Sequence, residues 1–527
     1  MKKMLFLAAA LLASAGWVSA QQAKIKIDVD RTIGEIDSNL WGNFAEHLGR
    51  CIYGGMYEPG SPLSDGDGFR TDVMKAVQDL GVTLVRYPGG NFVSNYHWLD
   101  GVGPASERVP RMDYAWQRLE TNLFGTNEFV KWNRRAGTEP YMAVNMGTGT
   151  IEEAQWWVEY CNADGGSYYS ELRKKHGYPE PYNIKYWSLG NEMDGPWQMG
   201  HLNAEDYVKK AREAAKLMRL VSPDIKLIAA GSSHYGGDGA DPYHWNRTII
   251  EGLADEIDYI SLHMYVGNEH DNYYNFMSTP TVMDSRTQVV RGMLNELQHK
   301  NRNQRPIYIA WDEYNVWYRA RVGADAVGER ALEEHYNLED ALVIAGCLNV
   351  FVRNADIVKM ANMAQLVNVI APIFTNEQGL FLQTIYYPLQ FFSKNMKGTS
   401  LDVMVDCGTY DTELFNTGLG ADEGQAQLTG VPYLDVSAAV DGDQVTICVV
   451  NRHKDRAIST DLICQEGKFS GNFEVYEVNG PDIKSVNDFG VTNVETKRKE
   501  DIRANGEKFT YAFAPHSVTF IRGRVSR

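Results

Sequence analysis

Two carboxylates stand out by where they fall. Glu192 closes the run Trp187-Ser188-Leu189-Gly190-Asn191-Glu192, and Glu313 lies in Ile307-Tyr308-Ile309-Ala310-Trp311-Asp312-Glu313-Tyr314. Each run reads as a buried strand that ends in an acid. A carboxyl group at the exit of a buried strand sits where desolvation and neighbouring charges set its pKa. A pair of such groups is the equipment of glycoside hydrolysis. One must be protonated to give the leaving oxygen its proton, and the other must be ionised to stabilise or attack the anomeric carbon. Two like side chains can do this only if their surroundings push their pKa values apart.

The elements that must position them alternate. Apolar, strand-like runs fall at residues 40–44, 83–87, 140–145, 185–189, 226–230, 259–263, 306–311 and 357–361. Amphipathic helical patterns lie between them, for example at residues 69–80, 128–136, 151–160, 204–220, 287–299 and 329–352. Strand–helix alternation implies a parallel sheet, and eight such units match a (β/α)8 barrel of the TIM type. Beyond residue 398 the texture changes to short alternating runs separated by Gly, Asp and Asn turns, at 401–405, 433–438, 444–451, 471–478 and 509–521. This reads as an antiparallel β-sandwich. The alternating segment Lys24-Ile25-Lys26-Ile27-Asp28-Val29-Asp30 is expected to complete it. The expected division is a leader at 1–20, an N-terminal strand at 21–39, a barrel at 40–397 and a sandwich at 398–527.

Active sites of such barrels lie at the C-terminal strand ends. The polar residues expected there are Glu46, Arg86, Asn91, Asn145, Asn191, Glu192, His263, Tyr265, Glu313, Asn362 and Gln365. A ring of hydrogen-bonding groups suits a polyhydroxylated ligand. Singly, each has an ordinary explanation. Arg86 in an apolar run needs an acidic partner and could make a structural ion pair. His263 alone would be a core histidine. Gly89-Gly90 lacks the following Lys of a phosphate loop and reads as a tight turn. The argument rests on the set.

Five segments carry a family resemblance: Trp41-Gly42-Asn43-Phe44-Ala45-Glu46-His47-Leu48-Gly49-Arg50, Arg86-Tyr87-Pro88-Gly89-Gly90-Asn91, Tyr96-His97-Trp98-Leu99-Asp100-Gly101-Val102-Gly103-Pro104, Gly190-Asn191-Glu192-Met193-Asp194-Gly195-Pro196-Trp197-Gln198 and Met360-Ala361-Asn362-Met363-Ala364-Gln365. Together they resemble the α-L-arabinofuranosidases of glycoside hydrolase family 51. Asn91 stands where some members carry Cys, and Asn is compatible with the pattern. The resemblance implies a retaining, exo-acting enzyme that releases terminal α-L-arabinofuranosyl residues. It implies Glu192 as general acid/base and Glu313 as nucleophile, with Asn191 on the sugar 2-hydroxyl. Glu46, Asn91 and Gln365 would bind other hydroxyls, and Arg86 and Tyr265 would position Glu313. His263 would support the same network, and His97 and Trp98 would line the cleft. On this reading Glu192 has the raised pKa and Glu313, beside Arg86, the lowered one. Retention needs carboxyls about 5–5.5 Å apart, against about 6.5–9.5 Å for inversion. The resemblance also implies a homo-oligomer, often a hexamer.

Composition narrows the substrate. A net charge of −17 excludes a nucleic-acid partner and disfavours an anionic polymer. A neutral arabinose-containing polysaccharide or oligosaccharide fits, and 12 Trp and 29 Tyr supply flat rings for sugars as well as for a large core. No HExxH motif or Cys/His cluster calls for a metal, and no cofactor is expected. The basic start, apolar run and Val18-Ser19-Ala20 of the first segment read as a secretory signal, giving an exported, periplasmic or extracellular product without a membrane span. Six scattered cysteines read as buried free thiols. Two rivals share the pattern: an endo-acting β-glucanase or xylanase on the same barrel, and a carbohydrate-binding protein on an inactive one. The dense polar set favours a closed pocket over a groove, and the presence of both glutamates argues against an inactive barrel.

Overall fold

The computed structural model describes residues 23–234, 243–301, 305–318, 327–413 and 427–526. The segment read as a secretory signal lies outside them. Eleven strands concern the site and its support. β1 (Ala23–Glu35) precedes the barrel, and β4 (Arg111–Asp113) and β5 (Arg118–Glu120) form a hairpin on one of its loops. The barrel itself consists of β2 (Gly42–Phe44), β3 (Leu84–Tyr87), β6 (Glu139–Ala143), β7 (Tyr186–Leu189), β8 (Lys226–Ala229), β9 (Tyr259–Val266), β10 (Tyr308–Val316) and β11 (Val358–Ala364), closed by the pairing of β11 with β2 and β9 with β10.

All eight barrel ladders are parallel, so each strand must return through a crossover. Helices supply most of these crossovers, and local chemistry starts and stops them. Thr150 caps Ile151–Asn162 by accepting from Glu153 N, and Asn203 caps Ala204–Val221 by accepting from Asp206 N. Gly81, at φ +78°, ends Thr71–Leu80 in the left-handed conformation. The floor of the barrel is filled by Leu84, Tyr141, Tyr186, Ile228, Tyr259, Ala310 and Met360, one residue from each of seven strands. The barrel is therefore packed beneath its mouth rather than hollow.

The C-terminal region is one ten-stranded, mostly antiparallel sheet. β1 pairs antiparallel with Thr399–Asp406 and parallel with Ile458–Gln465, so the N-terminal strand lies within this sheet. Lys468–Asn479 and Lys508–Phe513 stand near opposite ends of the strand order, yet the rings of Phe469 and Phe509 are 4.9 Å apart. The sheet therefore folds over its own apolar core. The run read as one strand at 509–521 is two, Lys508–Phe513 and Ser517–Ser526, parted by a turn in which His516 takes φ +41°. The helical pattern read from residue 329 begins only at Leu338, where Asn337 and Asp340 form a capping box.

Helix Leu338–Arg353 is buried on every face but its last residue, because it lies between barrel and sheet. Its Asn349 and Arg353 donate to Asp435 of the sheet at 2.8 Å each, and Arg452 pairs with the same carboxylate. Phe391 stacks on Phe520 at 3.8 Å across the same junction. All six cysteines are free, five of them buried, as the sequence reading held.

Candidate active site

The mouth of the barrel gathers a buried, charged cluster. Arg86 leaves β3 with no exposed surface. One guanidinium nitrogen donates to Glu313 Oε2 at 2.8 Å and another to Asn191 Oδ1 at 2.7 Å, and Nε lies 3.5 Å from Asp312 Oδ2. The acidic partner that a buried Arg requires is thus the candidate nucleophile itself. Tyr265 donates its hydroxyl to the other oxygen of Glu313 at 2.7 Å. Glu192 accepts from Trp197 Nε1 at 2.6 Å, and its Oε1 lies 2.9 Å from His263 Nδ1. His263 Nδ1 is also 3.5 Å from Glu313 Oε2, and Nε2 is 3.1 Å from Asp312 Oδ1.

Local backbone devices put these groups together. Gly190 turns at φ +93°, where a Cβ would lie 2.8 Å from Met146, and Glu192 itself sits in the left-handed region at φ +44°. Such a conformation is costly for a non-glycine residue, and this one aims the carboxyl back over the barrel. Gly89, where a Cβ would lie 2.7 Å from Glu46 Cγ and 2.9 Å from Phe92 Cβ, lets the loop after β3 pass close to Glu46. On β10 the register slips by one residue: Ala310 faces Ser261, but Glu313 faces His263. This bulge lets consecutive residues Asp312 and Glu313 both turn inward, where strict alternation would send one out.

A second group of side chains surrounds Glu46. Its Oε1 accepts from Trp116 Nε1 at 2.9 Å and from Phe92 N at 3.1 Å, and its Oε2 accepts from Gln365 Nε2 at 2.8 Å. Asn91 Oδ1 and Gln365 Oε1 are buried oxygens without a hydrogen-bond partner. Buried acceptors are normally satisfied, so unmet ones beside Glu46 are exceptional.

The structure therefore brings together Glu46, Arg86, Asn91, Asn191, Glu192, His263, Tyr265, Glu313 and Gln365. It places His97 and Trp98 elsewhere. His97 is half-exposed and pairs with Glu153 at 3.0 Å. Trp98 stacks on Trp157 in the core, because the turn carrying it packs against helix Ile151–Asn162. The tryptophans on the carboxylates are instead Trp116, on the hairpin of β4 and β5, and Trp197. Asp312 was also missed, hidden beside Glu313 by the expectation of alternation. Trp197 lay within a quoted motif, and its position five residues after Glu192 was the available signal. Asn145 and Asn362 spend their amide groups on backbone carbonyls, Tyr96 at 3.0 Å and Asn43 at 2.8 Å.

The electrostatics reverse one expectation. Burial pulls His263 down, but Glu313, Asp312 and Glu192 outweigh it and raise the imidazole to about 10. Burial pushes Asp312 up, yet Arg86, His263 and Tyr141 hold it at about 2. Burial also raises Glu192, but the bond and charge of His263, with Trp197 and Arg86, leave it below its ordinary value. Glu313 is raised by burial and by the negative Glu192, against His263, Arg86 and Tyr265. In the ligand-free site the order is thus opposite to the sequence reading, because His263 lies closest to Glu192. Glu46 is raised to about 8, by burial first and by Glu313.

One donor atom each from Glu192, His263 and Glu313 falls within 4.8 Å of the others, which is close enough to hold a cation. A protonated His263 has no lone pair to offer, and Arg86 already supplies positive charge to Glu313. One oxygen of Glu192 and one of Glu313 lie within 4.8 Å of each other. Two carboxyls in unlike surroundings at the strand ends of a barrel define the site of a glycoside hydrolase.

Comparisons with known proteins make this specific. Residues 76–285 match the family profile described as alpha-L-arabinofuranosidase 1 domain, and residues 312–517 match the alpha-L-arabinofuranosidase C-terminal domain. The chain is 44% identical, over 85% of its length and 88% of the other's, to an intracellular exo-alpha-(1->5)-L-arabinofuranosidase of Halalkalibacterium halodurans. It is 39% identical, over 95% of its length and 99% of the other's, to an intracellular exo-alpha-(1->5)-L-arabinofuranosidase 1 of Bacillus subtilis. The solved GH51 alpha-L-arabinofuranosidase of Thermotoga petrophila superposes with a TM-score of 0.86 at 39% identity, covering 95% of this chain and 100% of that one. The chain belongs to the α-L-arabinofuranosidases of glycoside hydrolase family 51. These matches set aside the endo-acting β-glucanase or xylanase. They also overturn the expectation of export, since both bacterial relatives are named as intracellular enzymes. A basic, apolar, small-residue start is a compositional pattern only.

Proposed function

We propose that the protein is an intracellular, exo-acting and retaining α-L-arabinofuranosidase that removes terminal arabinofuranosyl residues from arabino-oligosaccharides, arabinan or arabinoxylan fragments. The observation that carries the reading is the cluster in which Glu192 and Glu313 share His263 while Arg86 and Tyr265 hold Glu313. Glu313 attacks the anomeric carbon as the glycosidic bond breaks, and Glu192 gives its proton to the leaving oxygen. Glu192, now ionised, takes a proton from water, which opens the glycosyl ester with net retention. Asn191 faces the 2-hydroxyl, and Glu46, Asn91 and Gln365 hold the other hydroxyls of a single terminal sugar.

His263 holds Glu192 below its ordinary value while burial and Glu192 raise Glu313, so substrate binding must shift the balance of the pair toward a protonated Glu192. A sugar hydroxyl donating to Glu313 would favour its ionised form. The proposed division is a barrel at 40–397 carrying this site, with residues 21–39 and 398–527 forming the supporting sheet. A homo-oligomer, hexameric by family resemblance, completes the reading, and light scattering on the purified protein tests it.

Hydrolysis of an aryl α-L-arabinofuranoside, beside the aryl β-xyloside and β-glucoside, tests the activity. Rapid turnover of the arabinoside alone, lost in Glu313→Ala, is expected, with the β-anomer absent from the first product seen by NMR. Turnover of the β-glycosides instead would refute the assignment.

A further inference from the structure

Asp312 touches neither Glu192 nor Glu313 in any hydrogen bond, yet it is a fully buried charge of the same cluster. It is wholly buried on β10 and turned inward by the bulge it shares with Glu313. Tyr141, on β6 in the barrel floor, donates to its Oδ2 at 2.7 Å. Arg86 from β3 lies 3.5 Å away, and His263 from β9 lies 3.1 Å away through Nε2. The hydroxyl of Ser261 is 3.4 Å from the same Nε2. Glu192, Glu313 and Tyr265 face His263 or Glu313 from the other side, and Glu46 adds its field from the loop after β2.

Counting charges gives Asp312 a purpose. A buried cluster is tolerated when its charges balance. Arg86 and a doubly protonated His263 supply two positive charges. Asp312 supplies one negative charge, and the pair Glu192 and Glu313 supplies the other when it carries one proton. When Glu313 becomes an ester, that proton has left with the aglycone and Glu192 is ionised. The cluster is again neutral. Neutrality is kept through both halves of the reaction only if His263 keeps both protons throughout.

We propose that Asp312 is a positioning residue whose fixed negative charge keeps His263 doubly protonated, so that Glu192 alone exchanges a proton during turnover. This rests on the retaining reading above. With Nε2–H held by Asp312, Nδ1–H must face Glu192, and the ring can neither rotate nor accept the catalytic proton.

The test joins two measurements. Nitrogen-15 NMR of the histidine rings, with His263 assigned by its loss in His263→Gln, should show both ring nitrogens protonated at pH 7 in the wild-type enzyme. In Asp312→Asn, which keeps shape and a hydrogen-bond acceptor, the basic limb of kcat/KM should move to lower pH by about 1–3 units, the shift associated with one close opposite charge. A purely structural role would lower the rate by one factor at every pH. A neutral His263 in the wild type at pH 7, or an Asp312→Asn profile lowered without displacement, overturns the proposal. If Asp312→Asn does not fold, the wild-type spectrum decides. Absence of arabinoside turnover by the wild type would instead mark failure of the underlying functional reading.

Discussion

Tyr265→Phe is the cleanest perturbation of the nucleophile. It removes one oxygen and changes no charge. The lost bond is 2.7 Å long, both partners are buried, and the acceptor is a carboxylate. Hydrogen bonds to charged groups are worth about 1.5–3 kcal/mol. Because the bond favours the ionised form of Glu313, its loss raises the pKa of that group, by about 1–2 units at about 1.4 kcal/mol per unit. The sign follows directly. Glu313 stands above Glu192 in the free enzyme, so raising its pKa further moves the basic limb of kcat/KM to higher pH and lowers the plateau. The acid limb, which reports Glu192, should stay. The assay is kcat/KM for an aryl α-L-arabinofuranoside from pH 4 to 9, with thermal unfolding of the variant as a check on folding. A basic limb that stays in place in a folded Tyr265→Phe protein would refute the assignment of Glu313 as the group whose ionisation Tyr265 supports.

Other perturbations separate the remaining roles. Glu192→Ala should slow substrates with poor leaving groups far more than activated aryl arabinofuranosides, whereas Glu313→Ala should abolish both; equal losses on all substrates would contradict the division. Chelators should leave kcat/KM unchanged, because Arg86 and protonated His263 already occupy the positive role near Glu313; loss of activity restored by a divalent cation would show otherwise. Asp435→Asn should destabilise the junction of barrel and sheet by about 3–5 kcal/mol, as for any buried ion pair broken from one side, read as a drop in urea midpoint. Arg353 and Arg452 outweigh burial and hold Asp435 below the usual carboxylate range. Its contribution to stability should therefore be present above about pH 4 and be lost on further acidification, and a wild-type midpoint insensitive to acid would oppose this.

How much of this was legible in the sequence depends on which physical signal each feature leaves. Hydropathy located all eight barrel strands, because a parallel strand covered on both faces is apolar throughout. It ended the later ones too early. The runs read at 259–263, 306–311 and 357–361 continue as paired strands to Val266, Val316 and Ala364. There Tyr265, Asp312, Glu313, Asn315 and Asn362 interrupt the apolar run, and each is buried with a hydrogen-bond partner on another strand of the barrel. The same blindness hid Asp312. A strand of period two cannot put neighbours on one side, and a bulge has no compositional mark. Residue type alone also misplaced Trp98, since an indole serves a core and a pocket equally well, and only packing tells Trp98 from Trp116.

The order of the two carboxyls was illegible for a deeper reason. Proximity of Arg86 to Glu313 could be guessed from chemistry, but the 2.9 Å contact of His263 with Glu192 is a distance across the barrel. That contact sets a preference opposite to the one catalysis needs, and the opposition has a use. With its pKa held below the ordinary carboxylate value, Glu192 is poorly placed to protonate a glycosidic oxygen presented by a wrongly seated sugar. Only a ligand whose hydroxyls meet Glu313, and whose bulk excludes water from both carboxyls, returns the proton to Glu192. On the proposed reading, a sugar held by Glu46, Asn91 and Gln365 would also, through the shared proton, decide whether the acid is armed.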